Sequence, residues 1–456
     1  MVTFRRPRTD PKGSMLGVWT NGERVGTWRI ADGEHSFQYV ESWPVSSAGR
    51  ALSLSLPFTP GNMAHRGDTV RNFFDNLLPD SDAIRRRMQG KFSTASTDTF
   101  DLLAAVGREC VGAVQLLPVD LSPDGYDQIE YVPLDDAGVE RAIETALTGG
   151  RVLGQMEPDD FRISIAGAQE KTALLWHAGQ WNRPVGATPT THIFKLPLGL
   201  VGNMRADMSE SVENEWLCAH LLSLLGLPVA DCDITTFGQR KVLVVKRFDR
   251  ALQSPQGRAP WLARLPQEDF CQALGVAGER KYESDGGPGI RAILRQLDTS
   301  NNADTDKLTF IKAQLAFWMM AATDGHAKNF SIFLERGGGF HMTPLYDVLS
   351  AWPIMGTGPN QVHPRRARLA MALRSKNAQD QNLHLHEIST RHWQTLAQQS
   401  GVPGAFEKMV GLVLQVHDAL ERAAALLPPG FPQRVFKPIR AGMLAQAEKF
   451  MADLPA

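Results

Sequence analysis

"FWMMAATDGHAKNFSIFLE", residues 317–335, decides how the chain is read. It begins as an apolar helix, ends as a strand, and crowds Asp324, His326, Lys328 and Asn329 into the turn between them. An acid, a base, a cation and an amide on one tight turn between two buried elements are held rigidly enough to do chemistry. A plainer reading also covers them, because Lys and His near a helix C-terminus offset its dipole. Trp318, Met319 and Met320 read as core by their helical spacing.

Asp324 and Asn329 stand five residues apart, the D-x-x-x-x-N spacing of a kinase catalytic loop. There the Asp accepts the proton of the substrate hydroxyl and the Asn ligates Mg²⁺. Asp347, in "TPLYDVLSA", follows the strand and a Gly337–Gly339 turn that returns the chain to the same end, where it can give a second Mg²⁺ ligand. Either His326 or Lys328 could neutralise charge on a transferred phosphoryl group.

Upstream, Lys195 lies in the apolar strand "THIFKLP". A cation on a buried strand costs several kcal/mol unless it meets an anion. Nucleotide phosphates and a helix carboxylate would both serve. Glu213 and Glu215 open the one helix inserted among these strands, and Glu215 is the preferred partner. "SIAGAQEK", residues 164–171, joins two strands through small residues that let backbone N–H groups approach phosphate oxygens, although one glycine makes it a poor phosphate loop. "VKRFDR", residues 245–250, falls where the strand-rich part hands over to the helical part, so the backbone of Lys246, Arg247 and Phe248 could meet an adenine edge.

Working outward, "LGVWTNGERVGTWRI" alternates about Asn21-Gly22, a hairpin signal, and "LSLSLP" at 52–57 is a further alternating run. "VRNFFDNLLPDSDAIRRRM" is helical with a break at Pro79-Asp80, and "LPVDLSPDGYD", residues 117–127, is a linker. A helix over 136–148, the strands "FRISIAG", "KTALLWH", "THIFKLP" and "KVLVVKRF", and a helix over 211–225 describe a small antiparallel lobe. Helical periodicity dominates beyond residue 251. The expected division is 1–125, 126–250 and 251–456, an α+β chain. His384, His386 and His392 miss H-E-x-x-H spacing, and "SDGGPG" at 284–289 reads as a turn.

At 456 residues, 43% hydrophobic, the chain can bury a large core. Its formal charge of −1 excludes a chain that is basic throughout, so contact with nucleic acid falls to a local patch or a partner. The short basic runs Arg5–Arg8, Arg85–Arg87 and Arg365–Arg368 read as solvated faces. Cys110, Cys218, Cys232 and Cys271 have neither metal-ligand nor disulfide-scaffold spacing. With no signal-peptide core and no long apolar run, the expectation is a cytoplasmic protein with no membrane partner.

Longer motifs now join these. "NFFDNLLPDS", "GRECVGAVQLLP", "RISIAGAQEKTALL", "PTTHIFKLP", "SVENEWLC", "RLPQED", "KYESDGGPGI", "ATDGHAKNFSIF" and "YDVLSA" together resemble the HipA serine/threonine kinases, the toxin half of a toxin–antitoxin system. The resemblance implies a two-lobed protein-kinase-like fold with a mixed N-terminal region and a helical C-terminal lobe, holding ATP and Mg²⁺ between them. It assigns Lys195 to the phosphates, Asp324 as catalytic base, and Asn329 with Asp347 to magnesium. Ile165, Ala166, Gly167, Ala168, Gln169, Glu170 and Lys171 would cover the phosphates. Ser164 matches the serine these kinases autophosphorylate, a step that ejects the loop and shuts the enzyme down. The family further implies a HipB helix-turn-helix antitoxin, operator DNA reached mainly through it, and glutamyl-tRNA synthetase as the phosphorylated target, with growth arrest and antibiotic tolerance as the outcome. Two rivals stand beside this reading: a small-molecule kinase of related fold, and a catalytically idle corepressor that bridges antitoxin dimers on DNA.

Overall fold

The computed structural model describes residues 14–148, 169–202, 205–374 and 381–454. Strands β1 (Ser14–Thr20) and β2 (Glu23–Ala31) form the expected hairpin. Asn21 and Gly22 take φ of 44° and 84°, the left-handed pair that a tight antiparallel turn requires. With β3 (Glu34–Tyr39), β4 (His65–Arg66) and β5 (Gln115–Pro118) they make a five-stranded sheet ordered β4-β3-β2-β1-β5. Helices α1 (Asp68–Asp75), α2 (Asp82–Phe92) and α3 (Thr99–Val106) accompany it, and the indole of Trp28 stacks on Phe74 with centroids 4.1 Å apart. Pro79 separates α1 from α2, and the Ser81 hydroxyl caps α2 by accepting from the Ile84 N–H.

A second sheet combines β6 (Tyr131–Pro133), β7 (Lys171–His177), β8 (Gln180–Pro184), β9 (His192–Lys195), β12 (Cys232–Phe237) and β13 (Arg240–Lys246). Its order is β12-β13-β9-β7-β8-β6, every pairing antiparallel. Helix α4 (Asp136–Thr148), the small hairpin β10 (Gly199–Val201) with β11 (Ala206–Met208), and α5 (Ser211–Leu224) complete this region. Val212, Trp216, Leu217, Leu221 and Leu222 bury α5 on more than one side, and Glu213 and Glu215 go inside with them.

The remainder is mainly helical, as expected, but carries strands that periodicity did not reveal. A hairpin of β14 (Arg250–Gln253) and β15 (Trp261–Arg264) is followed by β16 (Gln267–Asp269) and α6 (Phe270–Ala273). Then come α7 (Ile290–Leu297), α8 (Ala303–Met320), β17 (Ser331–Leu334) and β18 (Phe340–Met342), with β16, β17 and β18 forming one sheet. After a pair of strands, β19 (Arg368–Arg374) and β20 (Gln381–His384), the chain ends in α9 (Thr390–Ser400), α10 (Ala405–Leu414), α11 (Val416–Leu426) and α12 (Gln433–Ala452). The strands over 250–269 are three or four residues long, too short to print a period of two.

"LSLSLP" is not a strand. Its Ser53 hydroxyl accepts from the Ser55 N–H at 3.0 Å, a local turn that competes with the extended form. The Ser53 and Ser55 hydroxyls donate to the Gln272 carbonyl at 3.3 and 2.7 Å, and the Leu54 N–H donates to the buried Glu268 carboxylate at 2.8 Å. The alternation therefore reflects docking onto the segment around α6.

An ionic cluster ties all three regions together. Glu109 accepts from Arg247 and Arg250 at 3.0 Å each and from Arg264 at 2.6 Å, while Asp249 takes Arg247 at 2.8 Å and the Gly112 N–H at 2.7 Å. All five side chains are at least 94% buried. Burial pushes the Glu109 carboxyl up, yet the three guanidinium groups outweigh it and hold the pKa far below the ordinary 4.5. The stabilisation is thus complete above that ordinary value and is lost only in strong acid. Glu109→Ala, which strands those arginines, should cost about 3–5 kcal/mol of unfolding free energy at pH 7, read from urea denaturation.

Candidate functional site

Helix α8 is buried all round over residues 313–320 and ends where Ala321 takes a left-handed φ of 50°. Gly325 lies under Phe317, where an added Cβ would come within 2.5 Å of the ring. The turn can therefore fold back only with glycine there. Its loop is closed by the Asp324 carbonyl, which accepts from the His326 N–H at 2.8 Å and from the Asn329 side-chain amide at 2.9 Å. The same amide reaches the Asp347 carbonyl at 3.4 Å. Asp324, Asn329 and Asp347 are thus brought together as their spacing suggested.

Lys195 joins them. Its ammonium donates to Glu215 at 2.5 Å and to Asp347 at 2.6 Å, and it is 92% buried. Burial works against its charge, but Asp347 and Glu215 prevail and raise its pKa. The Asp347 carboxyl, pushed up by burial, is held well below the carboxylate range by Lys195 and Lys171. Asp347 also takes a left-handed φ of 61°, a conformation uncommon for residues other than glycine but tolerated better by aspartate than by most. Lys171 stands opposite Lys195 in the β7–β9 register, and burial lowers its pKa to about 8. Glu213, the other candidate on α5, turns instead to Lys241.

Asp324 keeps its carboxylate open to the cleft at 58% exposure. The surrounding walls push its pKa up, partly offset by the hydroxyl of Tyr282, which donates to its Oδ1. His326 is buried, with Nε2 at 3.9 Å from that oxygen and no partner for Nδ1 among the described residues. Burial and Lys281 lower its pKa to about 3, so the ring is neutral near pH 7 and offers a hydrogen bond where sequence reasoning had entertained a charge. Lys328 lines the cleft, but its ammonium is directed to the N-terminal region, donating to Asp80 at 3.0 Å and to the Asn76 side chain at 3.0 Å. Asp80 also takes Lys281 at 2.8 Å.

Ser164, Ile165, Ala166, Gly167 and Ala168 lie outside the described residues. Of the loop's remainder, Gln169 is buried and donates to the Leu196 carbonyl, Glu170 pairs with Arg87, and Lys171 faces the cluster around Asp347. At the junction the N–H groups of Lys246 and Arg247 are engaged by the Asp231 and Thr191 carbonyls. The Arg247 side chain belongs to the Glu109 cluster, and Phe248 packs edge-on against Phe333. Tyr282, Asp80, Asn76 and Lys281 were missed as site residues. Their only signal was membership of "KYESDGGPGI" and "NFFDNLLPDS", which no spacing rule singles out.

The oxygens available suit a hard cation. The Asn329 NH₂ is committed to two carbonyls, leaving its amide oxygen as acceptor, and Asp347 meets Lys195 through Oδ1 alone. Among the described residues no three His, Cys, Asp or Glu side chains form a metal-holding group. An amide and one carboxylate fit Mg²⁺, which keeps few protein ligands and fills its shell with water and phosphate oxygens.

Comparison with known proteins identifies the family and the fold. The HipA N-terminal domain profile matches residues 16–117 and the HipA-like C-terminal domain profile matches residues 163–424. A Sinorhizobium fredii protein named "Putative kinase Y4mE" is 32% identical over 90% of this chain and 91% of its own. The serine/threonine-protein kinase toxin HipA of Shewanella oneidensis is 26% identical over 68% of this chain and 69% of its own. The fold matches the solved complex of Shewanella oneidensis HipA, HipB and operator DNA with a TM-score of 0.75 at 22% identity, covering 97% of this chain and 100% of that one. That fold is protein-kinase-like, the α+β class expected.

The Asp80 bridge is open to test. Burial raises its pKa, but Lys328 and Lys281 outweigh this and bring it to about 2. Its stabilisation is full above the ordinary 3.8 and is lost as the pH falls toward 2. Asp80→Ala should remove roughly 3–5 kcal/mol at pH 7 by leaving buried Lys328 without its carboxylate. The deficit should shrink in denaturation series run down to pH 2.

Proposed function

Because this chain belongs to the HipA kinase family, we propose that it is an ATP- and Mg²⁺-dependent serine/threonine protein kinase acting as the toxin of a toxin–antitoxin pair. The observation that carries the proposal is the convergence of Lys195, Asp324, Asn329 and Asp347 on one cleft between the strand-rich and helical parts.

Lys195, oriented by Glu215, binds the phosphates, and Gln169, Glu170 and Lys171 continue the phosphate-covering loop. The junction backbone at Lys246–Phe248 borders the adenine. The oxygens of Asn329 and Asp347 would hold magnesium, whose charge draws electron density from the β- and γ-phosphates. Asp324 accepts the proton of the acceptor hydroxyl as that oxygen attacks the γ-phosphorus and the bond to ADP breaks. The neutral His326 beside it can donate a hydrogen bond to a phosphoryl oxygen.

On this reading Ser164 is the autophosphorylation site, where a phosphate would repel the nucleotide from its own loop. The partner is a HipB-type helix-turn-helix antitoxin that brings operator DNA, as the HipA solved from Shewanella oneidensis supports by analogy. The acceptor is a serine of an aminoacyl-tRNA synthetase, glutamyl-tRNA synthetase being the family expectation, and the outcome is growth arrest.

Asp324→Asn should lower transfer from labelled ATP to lysate protein by about 10²–10⁴-fold while ATP affinity is retained, because an amide of the same shape cannot take the proton. Undiminished growth arrest in that variant would favour the idle corepressor, and label confined to small molecules would exclude a protein acceptor. Mass spectrometry after exposure to MgATP should find phosphate on Ser164. Modification only at other residues would end the self-inactivation scheme.

A further inference from the structure

Resting on the kinase reading and deepening it, we propose that Tyr282 is a positioning residue for the base: its hydroxyl holds one oxygen of Asp324 so that the other faces the acceptor. The Tyr282 hydroxyl donates to Asp324 Oδ1, and His326 Nε2 lies 3.9 Å from the same atom. Among the described residues Oδ2 accepts no hydrogen bond, and the carboxylate is open to the cleft. The terminal torsion of an aspartate is broad and nearly two-fold, so an unheld carboxylate samples many orientations. Fixing one oxygen removes that freedom before the acceptor arrives.

The segment carrying Tyr282 is built to hold it still. The ring stands edge-on to His326 with centroids 5.0 Å apart and planes at 86°. The Tyr282 carbonyl accepts from the Asp285 and Gly287 N–H groups at 3.1 and 2.9 Å. On one side Lys281 is pinned to Asp80 at 2.8 Å. On the other, Glu283 takes the Ala372 N–H at 2.7 Å and Arg374 at 3.0 Å. The chain then doubles back so closely that a Cβ on Gly287 would lie 1.8 Å from the Arg280 carbonyl oxygen, and one on Gly289 would lie 2.2 Å from the Glu283 carboxyl carbon. "SDGGPG" is a turn, as its composition indicates, and its tightness serves to present the tyrosine.

In the transfer step the acceptor O–H bond breaks and its proton passes to Asp324 Oδ2. The acceptor oxygen bonds the γ-phosphorus, and the bond to the ADP oxygen breaks. Tyr282 keeps its own proton throughout and remains a hydrogen-bond donor to Oδ1.

The test compares the full-length parent, Tyr282→Phe and Asp324→Asn in label transfer from [γ-³²P]ATP to protein, both the chain itself and a cleared lysate. Phenylalanine keeps the ring against His326, so the melting temperature should stay that of the parent. The maximal rate should fall about tenfold, with unchanged half-saturating ATP and unchanged affinity for a non-hydrolysable ATP analogue. An unchanged rate overturns the proposal. So does a faster one, which would make Tyr282 an occupant of the acceptor position, and so does a loss that tracks ATP affinity or melting temperature. If the parent itself transfers no label, the kinase reading fails, and this proposal with it; an active parent alongside an unaffected Tyr282→Phe removes the positioning role alone.

Discussion

The whole site depends on one buried ammonium. Lys195 needs counter-charges because its strand takes it out of water, and it finds them on Glu215 and Asp347, which belong to a helix and to a loop of the other half of the cleft. Lys195 and Asp347 are 152 residues apart, so this hydrogen-bonded pair, with those between Asn214 and Ser350, helps fix how the two halves face each other. Replacing such a cluster by apolar side chains of similar size is often neutral or stabilising, so ion pairing here is poorly explained by stability alone. On the proposed kinase reading it is a prepared place for phosphate and metal, whose charges can exchange partners with the same groups.

The N-terminal region is part of this machinery in a physical sense. Asp80 and Asn76 hold Lys328 inside the turn that carries Asp324 and Asn329, and Asp80 simultaneously holds the segment bearing Tyr282. The hairpin turn at Asn21 exchanges two hydrogen bonds with the backbone of Arg264 at 2.8 and 2.9 Å, and Arg264 in turn pairs with Glu109. Rigidity of the turn that carries Asp324 is therefore borrowed from side chains far away in sequence, and the contacts between regions named here are charged where one expects grease.

Much of this could be read from the residues. The Asn21-Gly22 turn, the break at Pro79, α5 and the helix-turn-strand around Asp324 announce themselves through local periodicity and turn chemistry, because local sterics fix them. Lys195 was legible because a lysine on an apolar strand demands an anion, and Asp347 because a short glycine turn limits where the chain can go. The destinations of Lys328 and Arg247 were not legible. Each side chain could pair with any carboxylate the fold delivers, and the fold delivered Asp80 and Glu109 from the N-terminal region. The alternation in "LSLSLP" misled because two serines every second residue look the same whether they face water or a carbonyl such as that of Gln272. Tyr282 gave no warning either, since a phenol has no spacing rule and its role arises only where it meets Asp324.

The Asp80–Lys328 contact has a consequence for how the molecule comes into being on the ribosome. The two residues are 248 positions apart, so at roughly 5–20 residues per second the aspartate is translated about 12–50 s before its lysine exists. Through that interval a nascent chain can pair its early strands, pack Trp28 on Phe74 and join Asp75 to Arg85, yet Asp80 has neither of its lysines to face. The turn carrying Asp324 and Asn329 is made after the surface that holds it and closes onto residues already waiting there, so a half-made chain lacks that turn altogether.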